Sequence, residues 1–221
     1  TLEEFQEGLF HVQDLSAQLA CSLLEARPAQ AVCDCCAAPG GTSFTLAEDM
    51  ENTGRLHAFD LSTGRGGLTQ QGAERLRLSC IPAGRRDASK PYEGLGQMDR
   101  VLCDVPCSGY GVIRRKPEIR YKPLSSVKEL PSLQYAILEN GAALVKPGGL
   151  LLYATCTLNP AENGAVASRF LQEHPEFEPA PFRLPGVPRL VEEPPHPTTP
   201  LPVNGGSAGF YAARPPRHGA F

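Results

Sequence analysis

What this chain lacks narrows its class before any motif is read. No run of its 221 residues approaches the roughly 18 consecutive apolar positions of a membrane span, and nothing in its opening residues reads as a signal peptide. A surplus of positive charge is missing too: 21 Lys and Arg stand against 24 Asp and Glu, for a formal net charge of −3. Coating a nucleic acid by bulk charge is therefore excluded, so any such contact must come from a local basic patch or a segment outside this chain. Paired metal-ligand knuckles are also missing. Cys33, Cys35 and Cys36 cluster, but structural zinc sites usually pair two such knuckles, or a knuckle with closely spaced histidines, and His11, His57, His174, His196 and His218 are scattered. The expectation is no bound metal, no membrane, and reduced thiols in a cytoplasmic protein rather than the disulfide framework of a short secreted chain.

What is present is an ordinary globular composition. With 41% hydrophobic and 20% charged residues, the chain is long enough for one domain with its own core. Thr1 in place of Met, followed at once by helix-like sequence, sets the expectation of a piece of a longer protein. Strand-like and helix-like stretches alternate, which marks an α/β fold with a mostly parallel central sheet and helices on both faces. Leu15, Leu19, Leu23 and Leu24 predict an amphipathic helix over 13–25. An apolar strand over 31–35 runs into Pro39-Gly40-Gly41, and a helix over 43–50 follows with Thr42 or Ser43 as its cap. Further strands are expected over 55–60, from 81 to before Asp87, over 98–104 and over 150–155. Helices are expected over 68–78, over 127–145, where Pro131 interrupts and Pro147-Gly148-Gly149 stops it, and from Pro160 to 174. Residues 179–208 read as a proline-rich loop, 209–214 as an edge or antiparallel strand, and 215–221 as a flexible tail.

Three segments carry chemistry: Asp34-Cys35-Cys36-Ala37-Ala38-Pro39-Gly40-Gly41, Asp104-Val105-Pro106-Cys107-Ser108-Gly109, and Thr155-Cys156-Thr157. Each falls at the carboxyl end of an expected strand, which is where open α/β sheets bind their ligands. A strand, a glycine turn and a helix start make an anion site from backbone N–H groups. The turn is not Gly-x-Gly-x-x-Gly, so it suits a smaller group such as an amino-acid carboxylate, while Asp60 can accept hydrogen bonds from ribose hydroxyls. Each feature also has a plain structural explanation: a tight turn, a solvated strand end, a small buried thiol. Their convergence on one edge of the sheet is what points to a site. Cys107, after a proline in a glycine loop, is harder to read as core than Cys21 or Cys103. Next to it, Arg114, Arg115, Lys116, Arg120 and Lys122 outnumber Glu118 and could meet phosphates, with Tyr121 free to stack on a base.

From Phe10-His11-Val12-Gln13-Asp14 through Gly209-Phe210-Tyr211, the chain resembles the catalytic domain of the RsmB/Sun-type RNA cytosine-5 methyltransferases. The most specific pieces are the Cys-Ala-Ala-Pro-Gly-Gly loop, the Asp-x-Pro-Cys-Ser-Gly loop, and Thr-Cys-Thr ahead of Asn159-Pro160-Ala161-Glu162-Asn163. The resemblance implies a Rossmann-like class I methyltransferase fold, with 1–221 as one catalytic domain, S-adenosylmethionine as cofactor, and RNA, expected to be ribosomal, as substrate. A monomer is a separate expectation, not one the resemblance supplies. It assigns Cys36, Ala37, Ala38, Pro39, Gly40, Gly41, Thr42, Asp60, Asp87 and Asp104 to the cofactor. It further implies that Cys156 attacks cytosine C6, that Asp104 stabilises charge at N3, and that Cys107 assists release of the thiolate.

The chain departs from the family pattern in places. Thr42 stands where the family usually carries Lys, the segment after Asp60 is rich in glycine, and Ala208 replaces an acid. The RNA-binding regions that normally accompany the domain are absent. Two alternatives follow: a weakened RNA-binding or ribosome-assembly module retaining the fold, and a methyltransferase acting on an exocyclic amine. The second is disfavoured because Asp104-Val105-Pro106-Cys107 is not the Asn/Asp-Pro-Pro-aromatic loop of such enzymes.

Overall fold

The computed structural model describes residues 2–180 and the strand Gly209–Arg214. Ala208 and most of the proline-rich stretch, along with the tail from 215, lie outside the described residues. In chain order the elements are α1 (Glu3–Gln6), α2 (Leu15–Leu24), β1 (Ala31–Asp34), α3 (Gly41–Asp49), β2 (Arg55–Asp60), α4 (Thr63–Arg75) and β3 (Ala83–Arg85). There follow β4 (Met98–Asp104), α5 (Leu130–Ala142), β5 (Val145–Thr155), α6 (Gly164–Glu173), β6 (Glu178–Pro179) and β7 (Gly209–Arg214). The strands form one sheet in the order β3-β2-β1-β4-β5-β7-β6. Strands β1 to β5 pair in parallel, and β7 runs antiparallel to both β5 and β6. This is the Rossmann-like arrangement expected.

Alternation along the strands explains why both faces are covered. Val32, Leu56, Leu102 and Leu152 join one buried cluster with Cys21, Leu23 and Leu24 of α2, Phe44 and Leu46 of α3 and Ala73 of α4. Their strand neighbours Cys33, Val101, Cys103, Leu151 and Tyr153 pack on the other face against Ile137 and Leu138 of α5 and Val166 and Phe170 of α6. A sheet buried on both sides reads as continuous apolar runs, which is how β4 and β5 read.

Several boundaries differ from the sequence expectation, each for a tertiary reason. Helix α2 starts at its cap Asp14, whose side chain accepts from the Ser16 N–H, and Leu15 is left 69% exposed. Helix α3 is capped by Gly40, not Thr42 or Ser43, because Gly40 takes a left-handed φ of 116°. Helix α4 begins within the glycine-rich stretch rather than at 68. Ser62 caps it, and Gly72 lets it approach Phe44 so closely that a Cβ there would lie 2.3 Å from the ring. Pro131 lies in the first turn of α5, where its missing N–H costs nothing, so it starts the helix instead of interrupting it. Pro147, Gly148 and Gly149 fall inside β5, across a register shift opposite Met98 and Arg100. Pro160 does not open α6, which begins at Gly164, because Asn163 has a non-helical backbone (φ −112°, ψ −102°). Pro179, read as loop, ends the short strand β6.

Candidate active site

The carboxyl ends of β1, β2, β4 and β5 bring Asp34, Asp60, Asp104 and Thr155 to one edge of the sheet. Between β1 and α3 the loop closes on itself. Ala37 N–H donates to the Phe59 carbonyl at 2.8 Å, Ala38 N–H to Asp60 Oδ2 at 3.3 Å, and Gly40 N–H to the Ala37 carbonyl at 2.7 Å. A Cβ on Gly40 would sit 2.4 Å from Phe44 Cζ, so glycine is required there both for its φ and for space. Exposed Pro39 and partly buried Cys36 and Gly41 complete the loop.

Asp34 heads one of the three chemistry-bearing segments, but the sequence assigned it no role of its own. It is fully buried and accepts from Thr42 Oγ1 at 2.6 Å, Ser43 Oγ at 2.7 Å and, more loosely, Cys36 N–H at 3.4 Å. Burial pushes its carboxyl up to about 6, against the pull of those two hydroxyls. The available signal was an acid closing an apolar strand with two hydroxyl residues eight and nine positions on. Thr42 therefore faces inward onto Asp34. Near the loop a different cation is present: the Arg65 guanidinium donates to the Ala38 carbonyl at 2.9 Å and lies 3.9 Å from Asp60. Arg65 was also missed, because the glycines around it concealed the helix that carries it. Asp60 further accepts from Ser62 N–H at 2.9 Å. Asp87 is two residues beyond β3, where its carboxylate takes the Ser89 N–H and hydroxyl at 3.0 and 2.6 Å; it is joined to Asp60 only through the neighbouring Arg86 N–H.

The two thiols singled out in the sequence meet. Cys107 Sγ and Cys156 Sγ are 3.3 Å apart, although 49 residues separate them in the chain. The hydrogen bond from Cys107 draws the Cys156 thiol down to about 7, against burial and with help from the charges of Lys116 and Arg115. That bond and burial push Cys107 well above its ordinary value, so it remains the proton donor. Asp104, at the end of β4, is pushed up to about 7 by burial, by the charge of Cys156 and by Asp34. A readily ionised thiol and a second thiol in contact with it thus lie within electrostatic reach of a protonatable carboxyl at the end of β4.

The family model of the 16S rRNA methyltransferases RsmB/F matches residues 21–214. The chain belongs to the RsmB/F family. A probable ribosomal RNA small subunit methyltransferase B of Bacillus subtilis is 45% identical over 179 residues, covering 79% of this chain and 40% of the relative. A ribosomal RNA small subunit methyltransferase B of Pseudomonas syringae is 36% identical over 218 residues, 97% of this chain and 48% of the relative. The chain therefore spans less than half the length of these RsmB/F relatives. Among solved structures, PH0851 superposes with a TM-score of 0.86 at 35% identity, covering 96% of this chain and 48% of that one. NSun6 from Pyrococcus horikoshii with SFG has the same fold, with a TM-score of 0.81 at 23% identity over 97% of this chain and 55% of that one.

In this RsmB/F domain the basic loop forms a rim next to the sulfur pair. Arg114, Arg115, Lys116, Arg120 and Lys122 are exposed, and Tyr121 is 86% exposed. Buried Ile119 anchors the loop against Gly109, where a Cβ would come within 2.9 Å of its Cδ1. Arg115 is tied to Asp14, the cap of α2. Among the described residues, no group of three or more His, Cys, Asp or Glu could hold a metal ion.

Proposed function

We propose that the chain is the catalytic domain of an S-adenosylmethionine-dependent RNA methyltransferase that acts, as a monomer in the cytoplasm, on C5 of a cytosine in ribosomal RNA. The contact between Cys107 and Cys156 carries the reading, because it lies at the carboxyl ends of β4 and β5 beside a basic loop, whereas the core thiols Cys33 and Cys35, 3.9 Å apart, are fully buried. The residues present fit the cofactor. Gly40 adds no side chain at the start of α3, the first turn of α3 offers backbone N–H groups to an amino-acid carboxylate, and Asp60 closes the next strand to receive ribose hydroxyls. Cys36, Ala37, Ala38, Pro39, Gly41, Thr42 and Asp87 complete that assignment, and Asp104 faces both cofactor and base. When bound there, S-adenosylmethionine supplies an electrophilic methyl group.

Every other step belongs to the chain's own residues. The Cys156 thiolate forms a bond to C6, and the electron pair displaced from the C5–C6 double bond is delocalised towards N3, where the Asp104 carboxyl donates a hydrogen bond or its proton. C5 thereby becomes the nucleophilic carbon of an enamine. After methylation, loss of the C5 proton to a base re-forms the double bond and breaks the C6–S bond. Cys107 is placed to assist as the Cys156 sulfur departs. Arg114, Arg115, Lys116, Arg120 and Lys122 hold the RNA backbone, and Tyr121 stacks on a base.

Two variants test the assignment with labelled cofactor and ribosomal RNA. Cys156→Ala is expected to abolish methyl transfer, and near-normal turnover overturns the reading. Cys107→Ala is expected to accumulate a protein–RNA adduct that survives denaturing electrophoresis; absence of a shifted band removes Cys107 from the release step. RNA binding without methylation by the unaltered chain would instead support an assembly module.

A further inference from the structure

The Asn159-Pro160-Ala161-Glu162-Asn163 segment has no part in the chemistry above, yet it holds two fully buried polar side chains that are bonded throughout. Glu162 and Asn163 have no exposed surface. Glu162 Oε2 accepts from the Ser108 N–H at 2.8 Å and from Gln134 Nε2 at 3.0 Å, and Oε1 accepts from Asn159 Nδ2 at 2.8 Å. Gln134 Nε2 also donates to the Pro106 carbonyl at 2.9 Å. Pro106 and Ser108 are the two neighbours of Cys107, so both flanks of that thiol are held through Glu162 and Gln134. Asn163 does the same for the other thiol. Its Nδ2 donates to the Thr157 carbonyl at 2.8 Å, and its Oδ1 accepts from Thr155 Oγ1. Thr155 and Thr157 are the two neighbours of Cys156. One rung joins the halves directly, Ser108 Oγ to Thr157 Oγ1 at 2.6 Å, and Tyr153 donates to the Glu162 carbonyl at 2.6 Å from the floor of β5.

We propose that the adjacent pair Glu162 and Asn163, working with Gln134, are positioning residues that hold Cys107 and Cys156 in sulfur contact. Burial of a carboxylate and two amides costs more than apolar side chains of the same volume would. A position needed only for packing has no use for them. What the polar set adds is direction: each bond fixes a backbone atom next to a cysteine, and the two residues that make these bonds are covalent neighbours. The separation of the thiols is thereby referred to a single peptide unit. Asn163 makes these bonds from the non-helical backbone that precedes α6. The inference rests on the reading of the two thiols as one reacting pair.

The test uses the whole chain without RNA or cofactor: alkylation of Cys156 by iodoacetamide as a function of pH, read by peptide mass. The Cys107 hydrogen bond, burial, and the charges of Lys116 and Arg115 set this midpoint, and none of these side chains is altered in the variants. In the unaltered chain the midpoint is expected near 7. Glu162→Gln keeps the shape but sets an amide where three donors need acceptors, and is expected to raise the midpoint by about one pH unit, towards the free thiol. The single-turnover methylation rate should fall by roughly tenfold or more while KM for RNA and cofactor stays within about twofold, as misplacement rather than lost binding predicts. A merely structural role would lower the unfolding midpoint and leave the alkylation profile unmoved. A folded Glu162→Gln with an unchanged alkylation midpoint overturns the proposal. If Glu162→Gln does not fold, Gln134→Met decides: it removes the bonds to the Pro106 carbonyl and to Glu162 and is expected to raise the midpoint by a smaller step, and no rise overturns the proposal. Turnover by Cys156→Ala would refute the catalytic reading on its own, whatever the alkylation profiles show.

Discussion

Cys156, Cys107 and Asp104 compete for protons in one place, and their order of ionisation determines the pH behaviour of the site. In the proposed mechanism attack needs Cys156 ionised and Asp104 protonated; the Cys156 thiol is drawn down, and the Asp104 carboxyl pushed up, to about 7. The rate of methyl transfer is therefore expected to trace a bell centred near 7, rising as Cys156 loses its proton and falling as Asp104 loses its own. Asp104→Asn, which still donates a hydrogen bond but cannot ionise, should lose the alkaline limb at a lower maximal rate; a retained alkaline limb would assign it to another group. At this scale the two thiols that meet were legible as candidates, because thiols in glycine and threonine loops at strand ends are unusual. Asp34 was not, since its function depends on burial and on hydroxyls from the next helix, and periodicity conveys neither. Thr42 was legible as a departure but not as the donor to Asp34.

Among the elements, helix α4 gives the sharpest contrast between local propensity and tertiary demand. Its glycines argued against a helix before residue 68, yet the helix starts at Thr63. A Cβ added at Gly67 meets nothing within 4 Å, whereas one added at Gly72 lies 2.3 Å from the Phe44 ring. Gly67→Ala is thus expected to stabilise the chain by about 0.5–1 kcal/mol through helix propensity alone. Gly72→Ala should destabilise it by about 1–3 kcal/mol, because the ring must move within a packed core. Opposite shifts of the urea midpoint check the pair; a stabilised Gly72→Ala would mean Phe44 is free to yield. The strands were legible almost to the residue at β2 and β4, where apolar runs end in an acid. Helix α6 was misplaced because proline at a first position is a local cue, whereas Asn163, in the non-helical backbone before the helix, is bonded to residues on β5 and its following loop.

Across the whole molecule, the two raised carboxyls give a pH dependence of stability with a definite sign. Asp34 and Asp104 hold protons more tightly folded than unfolded, at about 6 and 7 against 3.8. Their contribution is fully present below 3.8 and is lost as pH rises through 6 and 7. Cys156, drawn down from 9.0 to about 7, acts in the opposite sense above that window. The denaturant midpoint is expected to fall between pH 5 and 7, on the scale of these shifts, and to flatten in Asp104→Asn; an unchanged slope would show that Asp104 is not buried as a neutral acid. RNA affinity belongs to the same scale. Each cation of the rim that neutralises a phosphate contributes a salt slope of roughly 0.7. Five cations with Arg115 partly engaged by Asp14 should therefore give a log–log slope of about 3, and a slope near zero would remove the rim from RNA binding. Among the described residues no helix is long and apolar enough to cross a membrane.

The sequence by itself determined the alternation of strands and helices, the parallel sheet, and the presence of acids and thiols at strand ends. These are properties of neighbouring residues, written in composition and period. The tertiary structure alone decided that Cys107 and Cys156 touch, that Asp34 is buried under Thr42 and Ser43, that Arg65 reaches the loop, and that Glu162 and Asn163 grip both cysteine segments. Those facts depend on distances between residues far apart in the chain. Such distances exist only once β4 and β5 pair and the helices have closed over both faces of the sheet.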